Sequence, residues 1–547
     1  MTVIISGDGL TIEQIAAVVG GERVELTDDR AVLDRMERSR AVLRERLARN
    51  EAVYGVSTLF GAMADQHVPE DQLVELQRLA LWQHKTATGP RLPEADVRAA
   101  MLLRANSLVK GASAIRVEIV ERYLVFLNAG ASPQAYQRGS IGASGDLVPL
   151  SYIAGAILGL DPAFLVDLDG ETLDAHTALH RLGLEPLELE PKEGLALNNG
   201  TGACTGVAAN AVDRAFQLVA VGFGVHALYA QALLATDQSF TPFIQAMKAH
   251  PGQIWAGATM TQLLDGSPVI RRESDGERDR PAGVLIQDRY GLRCLPQYVG
   301  PIVDGLAIAR RQIEVEANSA NDNPLIDPDR GEILHTGNFL AQYTGVAMDQ
   351  LRYHLGLMAK HIDSQTALLL APEFNHGLTP SLTGNMSGMS VGLKSLQVAG
   401  NQMMPLMTFY GQSIVDRFPT HAEQYNQNIN SQGMNSANLA RETLDVFTHF
   451  LAVALFTGVQ AVELRAHVVG GTYDARTILS PATVPLYEAA RSAATSKPIG
   501  AEPLMYNDMD QFVQPMIEGL IAGLDQGGPV LGAVRAVEDR LRAHRPW

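Results

Sequence analysis

The sequence predicts a mostly α-helical protein, a bundle of long helices with a small mixed region near its N-terminus. Three observations carry this. Helical apolar periodicity runs through long stretches at 203–236, 338–371 and 434–468. Helices so long and so apolar suit a bundle in which each is wrapped by others. Strand-like alternation is confined to short pieces. Hydrophobic residues make up 46% and charged residues 19% of the 547, a globular composition long enough for two or three domains.

Taken in order, a short strand and turn precede a capping box at Thr11–Gln14 that opens a helix. Residues 29–50 place Val32, Leu33, Met36, Val42 and Leu43 near one face of a second helix. Further helical patterns cover about 69–86, 94–110 and 114–128. Residues 165–193 break into short apolar pieces punctuated by Asp, Gly and Pro, which predicts a small β excursion. From 201 onward the expected helices are 203–236, 252–265, 297–318, 338–371, 387–416 and 434–468. A Gly/Ser/Asn/Met-rich connector spans 374–390. This organisation predicts an N-terminal domain over 1–200, a central bundle over 201–475 and a C-terminal helical region over 476–547.

A formal net charge of −17 argues against nucleic acid or an anionic membrane as partners, since both need a positive footprint. Two cysteines, Cys204 and Cys294, make neither a disulfide framework nor a metal cluster, and they fit a reducing cytoplasm. The opening MTVIISGDG lacks the basic and apolar regions of a signal peptide. The most apolar stretch, 202–235, is interrupted by Asp213 and Arg214 and reads as a core helix rather than a membrane span.

The chemistry concentrates in Gly139–Pro149, GSIGASGDLVP. Attack of the Gly145 amide nitrogen on the Ala143 carbonyl carbon would close a five-membered ring. Loss of two waters, one from the Ser144 side chain, would leave an exocyclic methylidene, an electrophile that no ordinary side chain provides. Glycine suits the attacking position because a Cβ would block the tight approach. The same run also reads as a helix N-terminus capped by Ser144 or Asp146, or as an anion-binding glycine loop.

Other polar clusters punctuate apolar helices. Tyr54 lies in VYGVSTLFG between Gly55 and Gly61, a loop able to close over a site. As a base it needs its pKa of about 10 lowered by cations or hydrogen bonds; otherwise it is a core aromatic at a strand end. Asn198-Asn199-Gly200-Thr201 either caps the long helix that follows or bonds a bound group. Gln287, Arg289, Tyr290 and Arg293 put two guanidiniums and a phenol into one short segment, and Arg is suited to a bidentate carboxylate contact. Asn318–Pro324 ends a long helix with many amides, as a cap and turn or as more. The run Glu423–Asn430, EQYNQNIN, is too amide-rich for an ordinary buried helix start and implies a polar pocket.

Together these residues resemble the aromatic amino acid ammonia-lyases and aminomutases, the family with a methylidene-imidazolone (MIO) prosthetic group. RAAMLLRANSLVKGASAIR, GSIGASGDLVPLSYIAGAILGLDP, QDRYGLRCLPQYVGPIVDG and MTFYGQSIVDRFPTHAEQYNQNINSQG occur in the family's order and resemble most the cyanobacterial type of phenylalanine ammonia-lyase. The resemblance implies a fumarase/aspartase-like helical bundle and a homotetramer in which three subunits build each active site. It implies that Ala143, Ser144 and Gly145 become 5-methylidene-imidazol-4-one (MIO), with no metal and no nucleotide. Tyr54 is similar to the base that removes the β-proton, and Asn199 and Tyr290 to residues that support the prosthetic group and the amine. Arg293 matches the carboxylate-binding arginine, with Asn323 nearby. Gln287, Phe339 and Gln427 match other active-site positions. Leu59 and Ala62 depart from the family's glycines and would stiffen or narrow the base loop. Asn198 stands where relatives carry an apolar residue.

Selectivity in the family is set by two side chains over the aryl ring, here Gln83 and His84. Phenylalanine-specific members carry Phe-Leu there, whereas some tyrosine-acting aminomutases carry His at the second position. Stranding a buried polar group costs about 1–3 kcal/mol, so this pair predicts L-tyrosine or a ring-hydroxylated relative, giving ammonia and an aryl acrylate such as coumarate. Phenylalanine, with cinnamate as product, is the alternative, as is a solvent-facing Gln-His pair. Histidine is demoted because Asn428 follows Gln427, where histidine lyases carry Glu. An aromatic 2,3-aminomutase shares every catalytic residue. The helical fumarase-like lyases lack support because their Met-Pro-x-Lys-x-Asn-Pro run is missing, and a non-catalytic descendant would not need Tyr54, Ser144 and Arg293 together.

Overall fold

The first helix, Ile12–Val19, begins where the capping box places it: Thr11 accepts the Gln14 N–H and Gln14 reaches back to the Thr11 N–H at 3.0 Å. A computed structural model describes residues 2–272, 286–387, 389–417, 421–510 and 512–547. Asp29 caps Arg30–Ala48 by accepting the Ala31 N–H at 2.9 Å, and that helix buries Met36, Ser39 and Leu43. Val32, Leu33 and Val42 are only half-buried, so its apolar face is narrower than the periodicity predicts.

The other expected elements form with trimmed ends. Leu73–Trp82, Glu94–Val109 and Val117–Ala129 are helices. The β excursion is the antiparallel pair Leu165–Leu168 and Glu171–Asp174, extended by Ser132–Pro133. A parallel pair joins Val3–Ile5 to Val24–Leu26. The long helices are Gly202–Ala232, Leu295–Ala317, Gln342–Leu370 and Gly433–Gly470. Two of the longest helical stretches are long and apolar enough to cross a membrane, but their apolar windows are 100% and 83% buried, as core helices require.

One element is shorter than expected. The helix predicted over 387–416 is Lys394–Tyr410. The Asp508 carboxylate accepts the N–H groups of Val391 and Gly392, and Gly392 adopts φ +66°, which turns the chain before the helix can start.

The chain forms two units from interleaved segments. The first comprises Met1–Asp213, Ala309–Asp349 and Ser413–Arg441; the second comprises Arg214–Ile308, Gln350–Gln412 and Glu442–Trp547. The boundaries expected near 200 and 475 coincide with the start of one long helix and the end of another rather than with the limits of these units. In the second unit Tyr229 ties three long helices together: its hydroxyl donates to the Ala454 carbonyl at 3.0 Å and lies 3.1 Å from Thr366 Oγ1.

Candidate active site

The glycine-spaced turn is built by exclusion. Gly142 and Gly145 have φ of +66° and +69°, the left-handed region that glycine tolerates best. A Cβ on Gly142 would lie 2.1 Å from Ser431 Oγ, and one on Gly145 would lie 2.3 Å from the Gly200 carbonyl oxygen. Neither a side chain nor an extended backbone fits here. Ala143 is buried and Ser144 half-buried, with Gln427 Nε2 donating to Ser144 Oγ at 3.0 Å. This compressed turn fits the precursor of a ring closed between residues 143 and 145.

Asp146 fastens the turn to the neighbouring helix. Its N–H donates to the Gly200 carbonyl at 2.7 Å, and its carboxylate accepts from Ser140 Oγ at 2.9 Å and from the Cys204 N–H at 2.7 Å. Burial pushes this carboxyl upward, against those hydrogen bonds. Asp146 precedes Leu147–Leu158, but its side chain makes no capping bond there. It satisfies the first turn of Gly202–Ala232 instead. The capping expected of Asn198 and Asn199 is therefore supplied from elsewhere.

Those two amides do other work. Asn198 Nδ2 donates to the Ala80 carbonyl at 2.8 Å and to Ser151 Oγ at 3.1 Å. Asn199 Nδ2 donates to the Asn323 carbonyl at 3.0 Å, and Asp322 Oδ1 lies 3.4 Å away. Asp322 Oδ2 accepts from Lys192 Nζ at 2.5 Å in a pair with no exposed surface. Burial pushes Lys192 downward while the Asp322 carboxylate opposes it. The Asn318–Pro324 segment is thus far more than a cap: it holds Asn199 and Asn323, whose side-chain carbonyl accepts the Thr336 N–H at 2.8 Å.

Tyr54 sits in a turn rather than at a strand end. Gln77 Nε2 donates to the Gly55 carbonyl at 3.0 Å, and Gly61 N–H donates to Tyr54 Oη at 2.9 Å. His335 meets the Tyr54 ring edge-on at 6.3 Å. Leu59 packs against Val68, Leu73 and Leu76, so the departure from glycine anchors the loop apolarly, while Ala62 is exposed. A Tyr54 that acts as a base needs a lowered pKa. Burial, with the Glu423 carboxylate, instead pushes it up, and the Gly61 hydrogen bond opposes them.

These groups surround a cavity of about 600 Å³. Tyr54, Gln83, His84, Ala143, Ser144, Asn199, Asn323, Phe339 and Gln427 all line it, every one from the first unit. His84 Nδ1 lies 2.7 Å from the Ala80 carbonyl, which can only accept, so Nδ1 carries the proton. Burial pushes His84 downward, against the Ala80 and Glu423 oxygens. The neutral ring therefore keeps Nε2 as an acceptor.

His335 and Glu423, neither of them a residue to which the motifs give a role, line the cavity as well. Glu423 belongs to the amide-rich run that predicts a polar pocket; nothing in the sequence around His335 points to it. The run is a turn-forming segment before Gly433–Gly470, and most of it is exposed, with Tyr425 at 69%. Its amides face a cavity and solvent rather than a buried helix start.

Gln287, Tyr290 and Arg293 form a separate cluster in the second unit and are not among the cavity's lining residues. Tyr290 and Arg293 are the two ends of the one-turn helix Tyr290–Arg293, and Gln287 precedes it. Arg293 donates to Gln287 Oε1, and its guanidinium lies 4.7 Å from the Tyr290 ring centroid. Tyr290 is 72% exposed. Arg289 is exposed, with its guanidinium 4.1 Å from the Phe374 ring centroid.

Comparison with known proteins bears on the family and the fold. The aromatic amino acid lyase family model matches residues 10–492. The chain is 62% identical over 547 residues to an aromatic ammonia-lyase from Loktanella atrilutea, covering 100% of both. It is 51% identical over 545 residues to a phenylalanine ammonia-lyase from Nostoc punctiforme, covering 99% of this chain and 96% of that one. A solved tyrosine aminomutase from Streptomyces globisporus superposes with a TM-score of 0.86 at 29% identity, covering 99% and 98% of the two chains. The helical fold, the glycine-spaced turn in the cavity and these matches agree that the chain belongs to the aromatic amino acid lyase family.

Proposed function

We propose that the protein is an MIO-dependent ammonia-lyase that prefers L-tyrosine or a related ring-hydroxylated amino acid, releasing ammonia and an aryl acrylate. The observation that carries the substrate is the His84 tautomer. With Nδ1 committed to the Ala80 carbonyl, neutral Nε2 is an acceptor, and a substrate hydroxyl would donate to it. Phenylalanine would leave it unmatched at a cost of about 1–3 kcal/mol.

The MIO group formed from Ala143, Ser144 and Gly145 would supply an electron sink that helps the amine to leave. Gln427 and Asn199 would hold that end of the cavity. Tyr54 Oη would take the β-proton, for which it must first be ionised. Burial and Glu423 oppose this, so a cation must offset them. The substrate ammonium and Arg293 would both do so.

The cavity's lining among the described residues includes no Lys or Arg. We therefore assign the carboxylate clamp to Arg293, with Tyr290 and Gln287, brought by another copy of the chain in a homotetramer. Fixing the carboxylate turns the β-carbon toward Tyr54, which is catalysis by orientation. The net charge of −17 and the separated cysteines support a cytoplasmic enzyme with no nucleic-acid or membrane partner.

The test is an absorbance assay of aryl acrylate formation with L-tyrosine and L-phenylalanine side by side, in the parent and in His84→Leu. The parent should favour tyrosine, and the variant should shift kcat/KM toward phenylalanine by about tenfold or more. A parent that favours phenylalanine, or a variant with unchanged preference, sinks the substrate assignment and leaves the family intact.

A further inference from the structure

A single helical turn such as Tyr290–Arg293 does not hold itself in place, because fixing its backbone yields too few hydrogen bonds. Its orientation must come from outside, and in the second unit the anchors can be traced. Asp288 accepts from the Thr236 N–H and from Arg271 Nη2, both at 2.8 Å. Arg289 lies on Phe374. The turn itself is gripped in the middle: Gln365, fully buried on the helix Gln342–Leu370, donates from Nε2 to the Gly291 carbonyl at 2.6 Å.

The Gln365 amide is itself oriented from behind. Because Nε2 faces a carbonyl, Oε1 is the acceptor, and it lies 2.7 Å from Nδ1 of the buried His226, which must therefore carry the proton. His226 packs edge-on against His361, and His361 stacks on Tyr298, each at 4.8 Å between centroids. The chain from His226 through Gln365 to Gly291 fixes both ends of one amide. It ends one residue from Tyr290 and two from Arg293.

We infer that Gln365 is a positioning residue that sets the direction of the Arg293 guanidinium and the Tyr290 phenol, and thereby the affinity for the substrate carboxylate. This rests on the assignment of Arg293 as the carboxylate clamp. Gln365 touches neither group; it acts through the Gly291 backbone. Displacing the turn by an ångström would spoil a bidentate contact while leaving the bundle folded.

The test compares Gln365→Leu, Gln365→Glu, Arg293→Lys and Thr366→Val in the full-length oligomeric enzyme, measuring kcat, KM, product inhibition by the aryl acrylate, and thermal midpoint. Thr366→Val removes a buried hydroxyl on the adjacent position, bonded to Tyr229 and the Ile362 carbonyl, and controls for general loosening. Q365L should raise KM and the inhibition constant together by about tenfold, following R293K, while T366V leaves both unchanged. Q365E keeps the acceptor for His226 but, when ionised, has no donor for Gly291. Burial favours the protonated acid, which still donates, so the KM of Q365E should rise with pH toward that of Q365L as the carboxyl ionises, and this rise carries the comparison alone if Q365L does not fold. KM values within twofold of the parent for Q365L, and for Q365E across the whole pH range, beside a raised KM for R293K, overturn the role of Gln365. An unchanged KM for R293K overturns the clamp assignment, and this inference falls with it.

Discussion

The cavity and the Gln287–Arg293 segment carry the two halves of one proposed reaction, yet they are built in opposite ways. Around the cavity, each side chain assigned to chemistry is also part of the structure: Asn199 closes onto Asp322 and Asn323, Gln427 onto Ser144, Tyr54 onto Gly61. At the other cluster Tyr290 is exposed and Arg293 half-buried, and the full burial lies behind the backbone, in Gln365, His226 and His361. The difference teaches that the buried supports of the first region carry function and stability together, whereas the chemical groups of the second can be removed at little cost in stability.

The largest expected effect is at Ser144. Ser144→Ala keeps the turn, losing only the hydrogen bond from Gln427, but removes the hydroxyl whose departure would create the electrophile. Turnover should fall by at least about a thousandfold, with the thermal midpoint nearly unchanged. Residual turnover within tenfold of the parent would contradict the role given to this tripeptide. In the same region, Asp322→Asn should cost about 3–5 kcal/mol of stability, because it strands the buried Lys192 charge. Chemical denaturation would measure that loss, and activity should fall with it as Asn199 loses its support.

The contrast is sharpened by Arg293→Gln. Its kcat/KM should fall by about a hundredfold or more, while its unfolding free energy stays within about 0.5 kcal/mol of the parent, since the hydrogen bond it loses, to Gln287, is exposed. A large loss of stability would show that the two regions are not built differently after all.

The smallest effect concerns the buried histidines behind the second cluster. Burial holds His226 at about 4 and His361 at about 2, against an ordinary 6.5. Below pH 6.5 the unfolded chain takes up protons that the folded chain refuses, so each ring withdraws stability as pH falls toward its folded value. His361→Phe should therefore flatten the parent's loss of stability between pH 6.5 and 5, a difference of about 2 kcal/mol at pH 5. Parallel curves for the two proteins would mean that His361 is not held neutral.

The helical architecture was legible because long apolar periodicity survives any packing arrangement. Ala143-Ser144-Gly145 was legible because left-handed turns without space for a Cβ demand glycines at fixed spacing. His84 could be named, but the direction of its acceptor depends on the Ala80 carbonyl at the end of its own helix, which only coordinates reveal. The helix at 387–416 was overdrawn because a carboxylate more than a hundred residues away, Asp508, turns its first residues. His335 and Glu423 meet the Tyr54 loop, and Gln365 meets Gly291, only through contacts between residues distant in the chain. The Tyr54 hydroxyl is pushed opposite to what a base needs because burial outweighs the hydrogen bond from Gly61.

The most direct measurement of the central claim is complementation between two inactive chains. Ser144→Ala and Arg293→Gln, each purified alone, should show little turnover of L-tyrosine. Coexpressed with different tags and isolated as mixed oligomers, they should recover a substantial fraction of parental activity, because some sites would join an intact turn from one copy to an intact Arg293 from another. Mixed oligomers no more active than either variant alone would contradict the account, and would place the Ser144 turn and Arg293 of each working site on the same chain.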